Sequence, residues 1–245
     1  MSIPIDLYYW PTPNGWKVSI TLEEMGLAYN THLINIGAGD QFQPDFLQIS
    51  PNNRMPAIVD REGPDGAEIA IFESGAILQY LARKSGLFYG ETARDHIAVD
   101  QWLMWQMGGM GPMLGQFGHF YKFAADKTSD DYAKDRYTAE ARRLLGVLDK
   151  HLDGKDYVAA GEYTIADMAI WPWYGNLVLG NLYDAAEFLQ VDSYTNVVRW
   201  AKMLEAREAV QRGKIVNRGW GEEWEQVPER HSAVDIDEVL KKKPK

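Results

Sequence analysis

The sequence predicts two domains, an α/β domain with a mixed sheet in the first third of the chain and an all-α domain after it. The first observation is the order of segments in residues 1–84, which runs β-α-β and then β-β-α. The second is a change near Ala93, after which long helical patterns occur with almost no strand signal. The third is a helix-capping sequence at 164–167, directly before an apolar run. The 245 residues suffice for one large domain or for two domains of ordinary size.

Strand-like and helical segments alternate through the first domain, with turn residues between them. A proline opens the third strand, and a hairpin-like loop joins it to the fourth. After the last strand, apolar residues recur at helical spacing, at Ala76, Ile77, Tyr80 and Leu81. The predicted strands are 3–10, 30–36, 55–60 and 68–72, and the predicted helices are 14–25, 44–48 and one that opens at Glu73 and Ser74.

Long helices are predicted for the second domain, at 96–106 and 131–152. The sequence Gly-Gly-Met-Gly-Pro at 108–112 is expected to interrupt or kink the first of them. The second is expected to bury one face, which comprises Tyr137, Ala141, Leu144, Leu145 and Leu148. The predicted organisation is residues 1–84 as the α/β domain, 85–92 as a linker, 93–212 as the helical domain and 213–245 as a C-terminal extension.

A capping box is the sharpest local signal in the second domain. The Thr164 side chain caps helix N–H groups, and the Asp167 carboxylate reaches back to the backbone N–H of Thr164. The helix that it opens, 165–174, is apolar nearly all round and is therefore predicted to be central and buried. We expect this pair to serve folding rather than catalysis, with a loss of about 0.5–2 kcal/mol when the cap is removed.

Composition excludes several functional classes. Apolar residues make up 46% and charged residues 24%, as in an ordinary globular protein. The net charge of −10 argues against nucleic-acid binding. The absence of cysteine excludes disulfides and cysteine-ligated metals, and the five histidines show no ligand spacing. No signal peptide and no membrane-spanning run are predicted, so a cytoplasmic protein with no metal is the expectation.

Thr12-Pro13-Asn14-Gly15 lies where the first strand passes into the first helix. Free N–H groups at such a helix start favour an anion. Thioredoxin-like proteins keep a Cys-Pro-x-Cys pair at this kind of turn, whereas this chain has Thr12 in the place of the first cysteine. Any sulfur chemistry here must therefore use the thiolate of a ligand, which a hydroxyl and an amide would stabilise. The alternative is an ordinary N-cap turn.

Pro56 has two interpretations. A proline in a strand usually marks an edge or bulge, because it has no N–H for the ladder. A cis Met55–Pro56 peptide would instead aim the backbone of Met55 at whatever lies on the Thr12 turn.

Five motifs in order resemble the cytosolic glutathione transferases, specifically the bacterial nu class that includes glutathione-dependent disulfide-bond reductases. The resemblance covers roughly residues 5–212. It rests on LYYWPTPNG at 7–15, SPNNRMPAI at 50–58, FESGAI at 72–77, GGMGPMLGQ at 108–116 and YTIAD at 163–167. It implies the glutathione transferase fold, an α/β thioredoxin-like N-terminal domain plus an all-α C-terminal domain, assembled as a homodimer.

The resemblance also implies that glutathione is the co-substrate and that the first domain binds it. Glu73 and Ser74 would hold the γ-glutamyl end, and the physics agrees, since a helix start suits a carboxylate and Glu73 can accept from an ammonium group. A plain N-cap is the alternative for this pair. The backbone of Met55, presented by a cis Pro56, would pair with the cysteinyl part. The other implied contacts are Gln41, Asn53, Arg54 and, from the other subunit, Arg136, for which a solvated helix charge is the alternative.

By the same resemblance, Thr12 and Asn14 face the sulfur. Their hydrogen bonds would lower the pKa of the thiol, and neither is a strong general base, so we interpret them as thiolate stabilisers. Tyr8 and Tyr9 leave a tyrosine-type mechanism open, with strand packing as the alternative.

The second substrate is expected between the domains, in an aromatic pocket. Its candidate residues are Trp10, Phe117, His119, Tyr121, Trp173 and Tyr174, and a position in the core is the alternative for each of them. The extension, with Trp220, Trp224 and the stretch 228–230, would fold over the site as a flap. The lysine-rich end at 241–245 would be a solvated tail.

Three functions fit these residues. The first is a glutathione-dependent thiol transferase that reduces disulfides without a protein cysteine. The second forms or cleaves aromatic glutathione thioethers, by conjugation or by a glutathione lyase reaction. The third is a non-catalytic glutathione-binding module, against which the intact Thr12–Asn14 and Glu73–Ser74 pairs argue.

Overall fold

A computed structural model of the chain describes residues 4–127 and 130–216, which fall into two compact units. The first unit comprises residues 4–85 together with 207–216. The second comprises residues 86–127 and 130–206. The expected flap and tail, including Trp220, Trp224, 228–230 and 241–245, lie outside the described residues.

The first unit is built on a four-stranded mixed sheet, as the sequence predicts. Strand order is β2-β1-β3-β4, with β1 parallel to β2 and antiparallel to β3, and β3 antiparallel to β4. Short 3₁₀ turns occur at Asp40–Phe42 and Pro64–Gly66. The strands are β1 Ile5–Tyr9, β2 Tyr29–Leu33, β3 Ala57–Asp60 and β4 Ile69–Phe72, and the helices are α1 Pro13–Glu24, α2 Pro44–Ile49 and α3 Ser74–Ser85.

Strand β2 ends at Leu33, three residues before the predicted end. The cause is a turn held by side chains. The Asp40 carboxylate accepts the N–H of Asn35 at 2.9 Å, and the Asn35 side chain accepts the N–H of Gly37 at 3.0 Å. Since these N–H groups are satisfied locally, they do not extend the ladder.

A C-terminal helix, α11 Glu208–Ile215, packs on α1 in the first unit. The predicted boundary at residue 212 divides this helix between the helical domain and the extension, whereas the structure groups residues 207–216 with the first unit. Two ion pairs anchor the helix, Arg207 to Glu24 at 2.6 Å and Arg212 to Glu23 at 2.5 Å, and both carboxylates are almost fully buried. The Ser19 hydroxyl also donates to the carbonyl of Gly213 at 2.8 Å.

Gly213 lets the two helices approach closely. A Cβ at this position would lie 2.7 Å from the backbone of Ile20. We therefore expect Gly213→Ala to lower the free energy of unfolding by about 1–3 kcal/mol, measured by urea denaturation. Gly146→Ala is the matched control, because its Cβ would meet nothing within 4 Å and a helix interior favours alanine by up to about 1 kcal/mol. Equal effects at the two positions would contradict the close packing.

The second unit is mainly helical in its described residues, with one isolated β-bridge between Ala159 and Glu162. Its helices are α4 Ala93–Trp105, α5 Gly111–Gly118, α6 Tyr132–His151, α7 Ile165–Ile170, α8 Asn176–Val178, α9 Ala186–Leu189 and α10 Thr195–Glu205. Within the ranges 4–127 and 130–216, no helix combines the length and the apolar character that a membrane span requires.

The expected interruption at 108–112 is a π-helical turn, Gln106–Met110, rather than a break. The Gly111 N–H donates to the carbonyl of Gln106, five residues back, and helical backbone continues to Phe123. Pro112, which has no N–H to donate, lies in the first turn of α5, where the wider turn accommodates it.

The capping box at the start of α7 is confirmed. The Thr164 side chain accepts the N–H of Ala166 at 3.3 Å, and the Asp167 carboxylate accepts the N–H of Thr164 at 3.2 Å. The Asp167 carboxylate also accepts from the backbone N–H of Val158 at 3.0 Å and from the indole N–H of Trp200 at 2.9 Å. All six residues of α7 are buried, as predicted. A single carboxylate thus ties α7 to a preceding loop and to α10.

Candidate active site

The turn between β1 and α1 has the geometry of a capped helix start. Thr12 is the N-cap, and its hydroxyl oxygen accepts the N–H of Gly15 at 3.4 Å. The backbone N–H of Thr12 donates to the carbonyl of Trp10 at 2.8 Å. Gly15 has no room for a Cβ, which would collide with the Trp10 carbonyl and lie 2.6 Å from the Tyr9 ring. The glycine therefore allows the helix to start directly against the end of the strand.

The Thr12 hydroxyl donates its own proton to a sulfur atom. Its partner is the thioether of Met55, at 3.8 Å. Since the Gly15 N–H occupies one lone pair of the oxygen, the proton points away from the helix. A thioether is a weak acceptor, and a thiolate at this place would be a much stronger one. The turn thus presents one hydroxyl proton that is directed at sulfur.

The Met55–Pro56 peptide is cis, as the motif context predicts. Pro56 is buried and directly precedes β3, while Met55 is half-buried and packs against Ile34 and Phe46.

Glu73 and Ser74 form the start of α3. Glu73 has φ of +69°, in the left-handed region that a non-glycine residue adopts rarely. Its side chain is exposed, whereas Ser74 is only 7% exposed. Residues in such backbone conformations persist only where the surroundings hold them, and they cluster at binding sites. This backbone conformation leaves the Glu73 side chain exposed to solvent. It also places Ser74 at the start of the helix, where free backbone N–H groups favour an anion.

One cavity of about 280 Å³ brings these segments together. It joins the start of α1, the cis peptide and the start of α3. Phe72, the last residue of β4, also lines it and was not predicted. The lining residues are Asn14, Arg54, Met55, Pro56, Phe72, Glu73 and Ser74.

Two other predicted contacts do not line this cavity. Asn53 has φ of +48°, and its side-chain oxygen accepts from the guanidinium of Arg54 at 3.2 Å, so it orients that arginine. The amide of Gln41 donates to the carbonyl of Ile36 at 3.5 Å. Its buried oxygen has no hydrogen-bond partner among the residues described.

Lys17 lies next to the start of α3 and was not predicted as a residue of the site. Its side chain is buried, with the residue only 1% exposed, and its ammonium nitrogen lies 3.5 Å from the hydroxyl oxygen of Ser74. Burial lowers the pKa of Lys17 well below its ordinary value, and the negative charge of Glu73 acts in the opposite direction. Helical periodicity could have found it, since position 17 falls between the buried residues of α1.

A mechanism through Tyr9 does not fit its surroundings. Tyr9 is fully buried, and burial raises the pKa of its phenol well above the ordinary value. An activated tyrosine would need the opposite shift. The ring of Tyr8 stacks on His32 with centroids 4.7 Å apart and also packs near Phe46. Strand packing therefore accounts for Tyr9 and for the ring of Tyr8.

The predicted second-substrate residues have different surroundings. In the first unit, Trp10 is half-buried. In the second unit, Phe117 and Tyr174 are fully buried, and the Tyr174 hydroxyl donates to the carbonyl of Ala141 at 2.9 Å. Phe117 and Tyr174 are therefore core residues of the second unit. Trp173 is buried, Tyr121 is half-buried against Phe117 and Phe188, and His119 is exposed.

Arg136 is exposed on α6 in the second unit.

Across the described part of the chain, no group of three or more histidine, aspartate or glutamate side chains is placed to hold a metal ion.

Comparisons with known proteins agree on one family. Residues 3–83 match the glutathione S-transferase N-terminal domain, and residues 131–202 match the glutathione S-transferase C-terminal domain. The disulfide-bond oxidoreductase YghU of Escherichia coli K12 is 49% identical over 240 residues, which is 96% of this chain and 82% of that protein.

Solved structures show the same likeness. A glutathione transferase from Pseudomonas putida, with one glutathione disulfide bound per subunit, is 48% identical with a TM-score of 0.83, over 86% of this chain and 91% of that one. A family member from Pseudomonas fluorescens Pf-5, with two glutathione molecules bound, is 50% identical with a TM-score of 0.83, over 86% of this chain and 92% of that one.

Proposed function

The chain belongs to the glutathione S-transferase family, and from this premise we propose that it binds glutathione in the cavity of its first unit and uses the glutathione thiolate to reduce disulfides. The observation that carries the proposal is the Thr12 hydroxyl, whose proton is directed at sulfur beside this cavity in a chain without cysteine. Sulfur chemistry at this turn has to use the sulfur of the ligand.

Glutathione would lie across the three segments that meet at the cavity. Glu73 accepts from the ammonium of the γ-glutamyl end, and Ser74 with the start of α3 binds its carboxylate. The backbone of Met55 pairs with the cysteinyl part, which brings the sulfur to Thr12 and Asn14. Arg54, oriented by Asn53, and Gln41 serve the remaining polar groups.

The reaction needs two glutathione molecules. The first thiolate, stabilised by Thr12 and Asn14, attacks one sulfur of the substrate disulfide, and the other sulfur leaves as a thiolate. A second glutathione thiolate attacks the mixed disulfide at the sulfur of the first glutathione. Glutathione disulfide forms, and the second substrate thiolate leaves. The two protons of the glutathione thiols end on the two substrate thiols, so the balance closes without an outside reductant.

The names and the bound ligands of relatives support this assignment. One carries the name of a disulfide-bond oxidoreductase. One solved structure holds two glutathione molecules, and another holds glutathione disulfide. These are the reactant pair and the product that the mechanism requires.

We propose that the active form is a homodimer in which Arg136 of one subunit reaches the glutathione of the other. The exposed position of Arg136 on α6 leaves its guanidinium available for that contact. The cytoplasm is the compartment that fits, because glutathione keeps thiols reduced there.

Steady-state turnover with glutathione on three substrates tests the function. The substrates are a small dialkyl disulfide, an electrophilic aryl chloride and a benzylic glutathione thioether. We expect fast reduction of the disulfide and weak conjugation of the aryl chloride. Fast release of glutathione disulfide from the thioether would instead identify a lyase. Glutathione binding without turnover on any substrate would identify a binding module.

Substitutions at the start of α3 test the placement of glutathione. We expect Ser74→Ala and Glu73→Gln each to raise the KM for glutathione about 10- to 100-fold, because the first removes a hydrogen-bond donor to the carboxylate and the second removes the negative charge opposite the ammonium. Glu68→Gln is the control, because it makes the same chemical change on an exposed residue outside the cavity. A KM that responds equally to Glu68→Gln and Glu73→Gln would contradict the placement.

A further inference from the structure

Met55 brings a thioether of the protein itself to the candidate active site. Thiol chemistry there belongs to the ligand, since the chain contains no cysteine, but a methionine sulfur can still be oxidised. Met55 is half-buried and lines the cavity of about 280 Å³. Its sulfur accepts the proton of the Thr12 hydroxyl at 3.8 Å. The donor that the proposed function needs for the glutathione thiolate is thus in contact with an oxidisable sulfur.

Oxidation would strengthen this contact. A thioether is a weak acceptor, whereas oxidation to the sulfoxide makes the side chain polar and adds an oxygen that accepts hydrogen bonds. The sulfoxide oxygen lies about 1.5 Å from the sulfur, and a hydroxyl donates to such an oxygen at about 2.7 Å, so a bent arrangement separates the sulfur from the hydroxyl oxygen by about 3.7 Å. The separation of 3.8 Å between Met55 and Thr12 matches this value. The new oxygen therefore fits between them without a shift of either residue.

We propose that Met55 is a modification site, and that its oxidation by hydrogen peroxide removes the stabilisation of the glutathione thiolate by Thr12. This inference rests on the proposed function and deepens it. The Thr12 hydroxyl has a single proton, and a proton donated to the sulfoxide oxygen is no longer available to the thiolate. The sulfoxide also places a polar oxygen beside the position that the ligand sulfur would take.

The oxidation is a balanced two-electron step. The thioether sulfur attacks one oxygen of hydrogen peroxide, an S–O bond forms and the O–O bond breaks, and the second oxygen leaves as water. The sulfur loses two electrons and the peroxide gains them. A methionine sulfoxide reductase reverses the change. In that direction a dithiol is oxidised to a disulfide, and the sulfoxide oxygen leaves as water.

Two other methionines provide internal controls for the reaction with peroxide. Met25 also accepts from a hydroxyl, that of Ser85 at 3.4 Å, but it is only 7% exposed. Met104 on α4 is 50% exposed and does not line the cavity. We expect peroxide to oxidise Met55 and Met104 and to leave Met25 reduced. Bound glutathione should protect Met55 alone, because the ligand covers it.

The test treats the full chain with hydrogen peroxide and then removes the peroxide. Peptide mass spectrometry measures sulfoxide at each methionine, and turnover is measured with glutathione and a small dialkyl disulfide. The proteins are wild type, Met55→Leu, Met104→Leu and Thr12→Val, and each is compared with its own untreated sample. We expect peroxide to lower turnover about 10- to 100-fold in wild type and Met104→Leu, and less than about twofold in Met55→Leu and Thr12→Val. A methionine sulfoxide reductase should restore the wild type.

Every other result counts against the inference. An equal loss in wild type and Met55→Leu would place the sensitive group elsewhere, and Met55→Ile carries the same comparison if the leucine variant does not fold. Full turnover with Met55 oxidised, or a reduced Met55 beside an oxidised Met104, would overturn the inference. A loss in Thr12→Val as large as in wild type would show that the sulfoxide does not act through the Thr12 proton. Untreated wild type that reduces no disulfide would refute the proposed function itself.

Discussion

Replacing Thr12 by alanine should lower turnover on a disulfide substrate about 100-fold, whereas serine at the same position should keep it within about fivefold of the wild type. The reason is the single proton of the Thr12 hydroxyl, which points at sulfur because the Gly15 N–H occupies the oxygen from the other side. The backbone N–H of Thr12 cannot replace it, since it already donates to the carbonyl of Trp10. Serine restores both the cap and the donor.

Two measurements separate this chemical effect from a loss of folding. Thr12→Ala also removes an N-cap, which costs about 1 kcal/mol of stability, so turnover must be expressed per folded molecule. Thr12→Val keeps the branched shape without the hydroxyl and should behave like alanine. The pH dependence of thiolate absorbance by bound glutathione should move to higher pH in both variants. Wild-type turnover in Thr12→Ala would shift the assignment to Asn14.

Replacing Asp167 by alanine should lower the free energy of unfolding by about 3–5 kcal/mol, more than an ordinary cap. The carboxylate accepts from the backbone N–H groups of Val158 and Thr164 and from the indole of Trp200, all in the buried interior of the second unit. Alanine would leave these three donors unsatisfied. Urea denaturation measures the loss, and glutathione affinity per folded molecule should stay within about twofold of the wild type.

Asp167→Asn is the matched control, because it keeps one acceptor oxygen at nearly the same volume. It should cost less than alanine. An alanine variant as stable as the wild type would contradict the buried network.

The same carboxyl predicts a pH dependence of stability. Burial raises the pKa of Asp167 from 3.8 to about 6, and the hydrogen bonds from Trp200, Val158 and Thr164 act in the opposite direction. The folded state then holds the proton more tightly than the unfolded state. The protonated Asp167 carboxyl therefore stabilises the folded state at low pH. This contribution is lost as the pH rises from about 4 to about 6, by about 3 kcal/mol in total. Asparagine does not titrate, so wild type should lose stability relative to Asp167→Asn across this window.

The sequence predicted the local features of the fold and the site well. The mixed sheet, the cis Met55–Pro56 peptide and the capping box at Thr164 follow from turn residues and motifs that act over a few positions. The start of α3 was also predicted from local sequence, because Glu73 and Ser74 directly follow the last residue of β4.

Features that depend on distant contacts were not predicted. Hydropathy treats lysine as a surface residue, so the buried Lys17 and its contact with Ser74, 57 positions away, were missed. Phe117 and Tyr174 have the residue types of a binding pocket, but neighbours from distant segments bury them completely. Residues 108–112 were expected to interrupt or kink the helix, because a proline in a helix interior removes a hydrogen bond, and the π-helical turn at Gln106–Met110 that replaces a break was not foreseen.

The packing of α11 on α1 has a consequence for biosynthesis. Residues 207–216 belong to the same compact unit as residues 4–85, so the first unit to emerge from the ribosome is completed only after the whole second unit has been translated. Until then the carboxylates of Glu23 and Glu24 lack Arg212 and Arg207. A fragment cut after residue 85 reproduces that nascent state permanently. A stable protein that consists of the first unit alone therefore has to include α11, joined to residues 4–85 by fusion or by circular permutation.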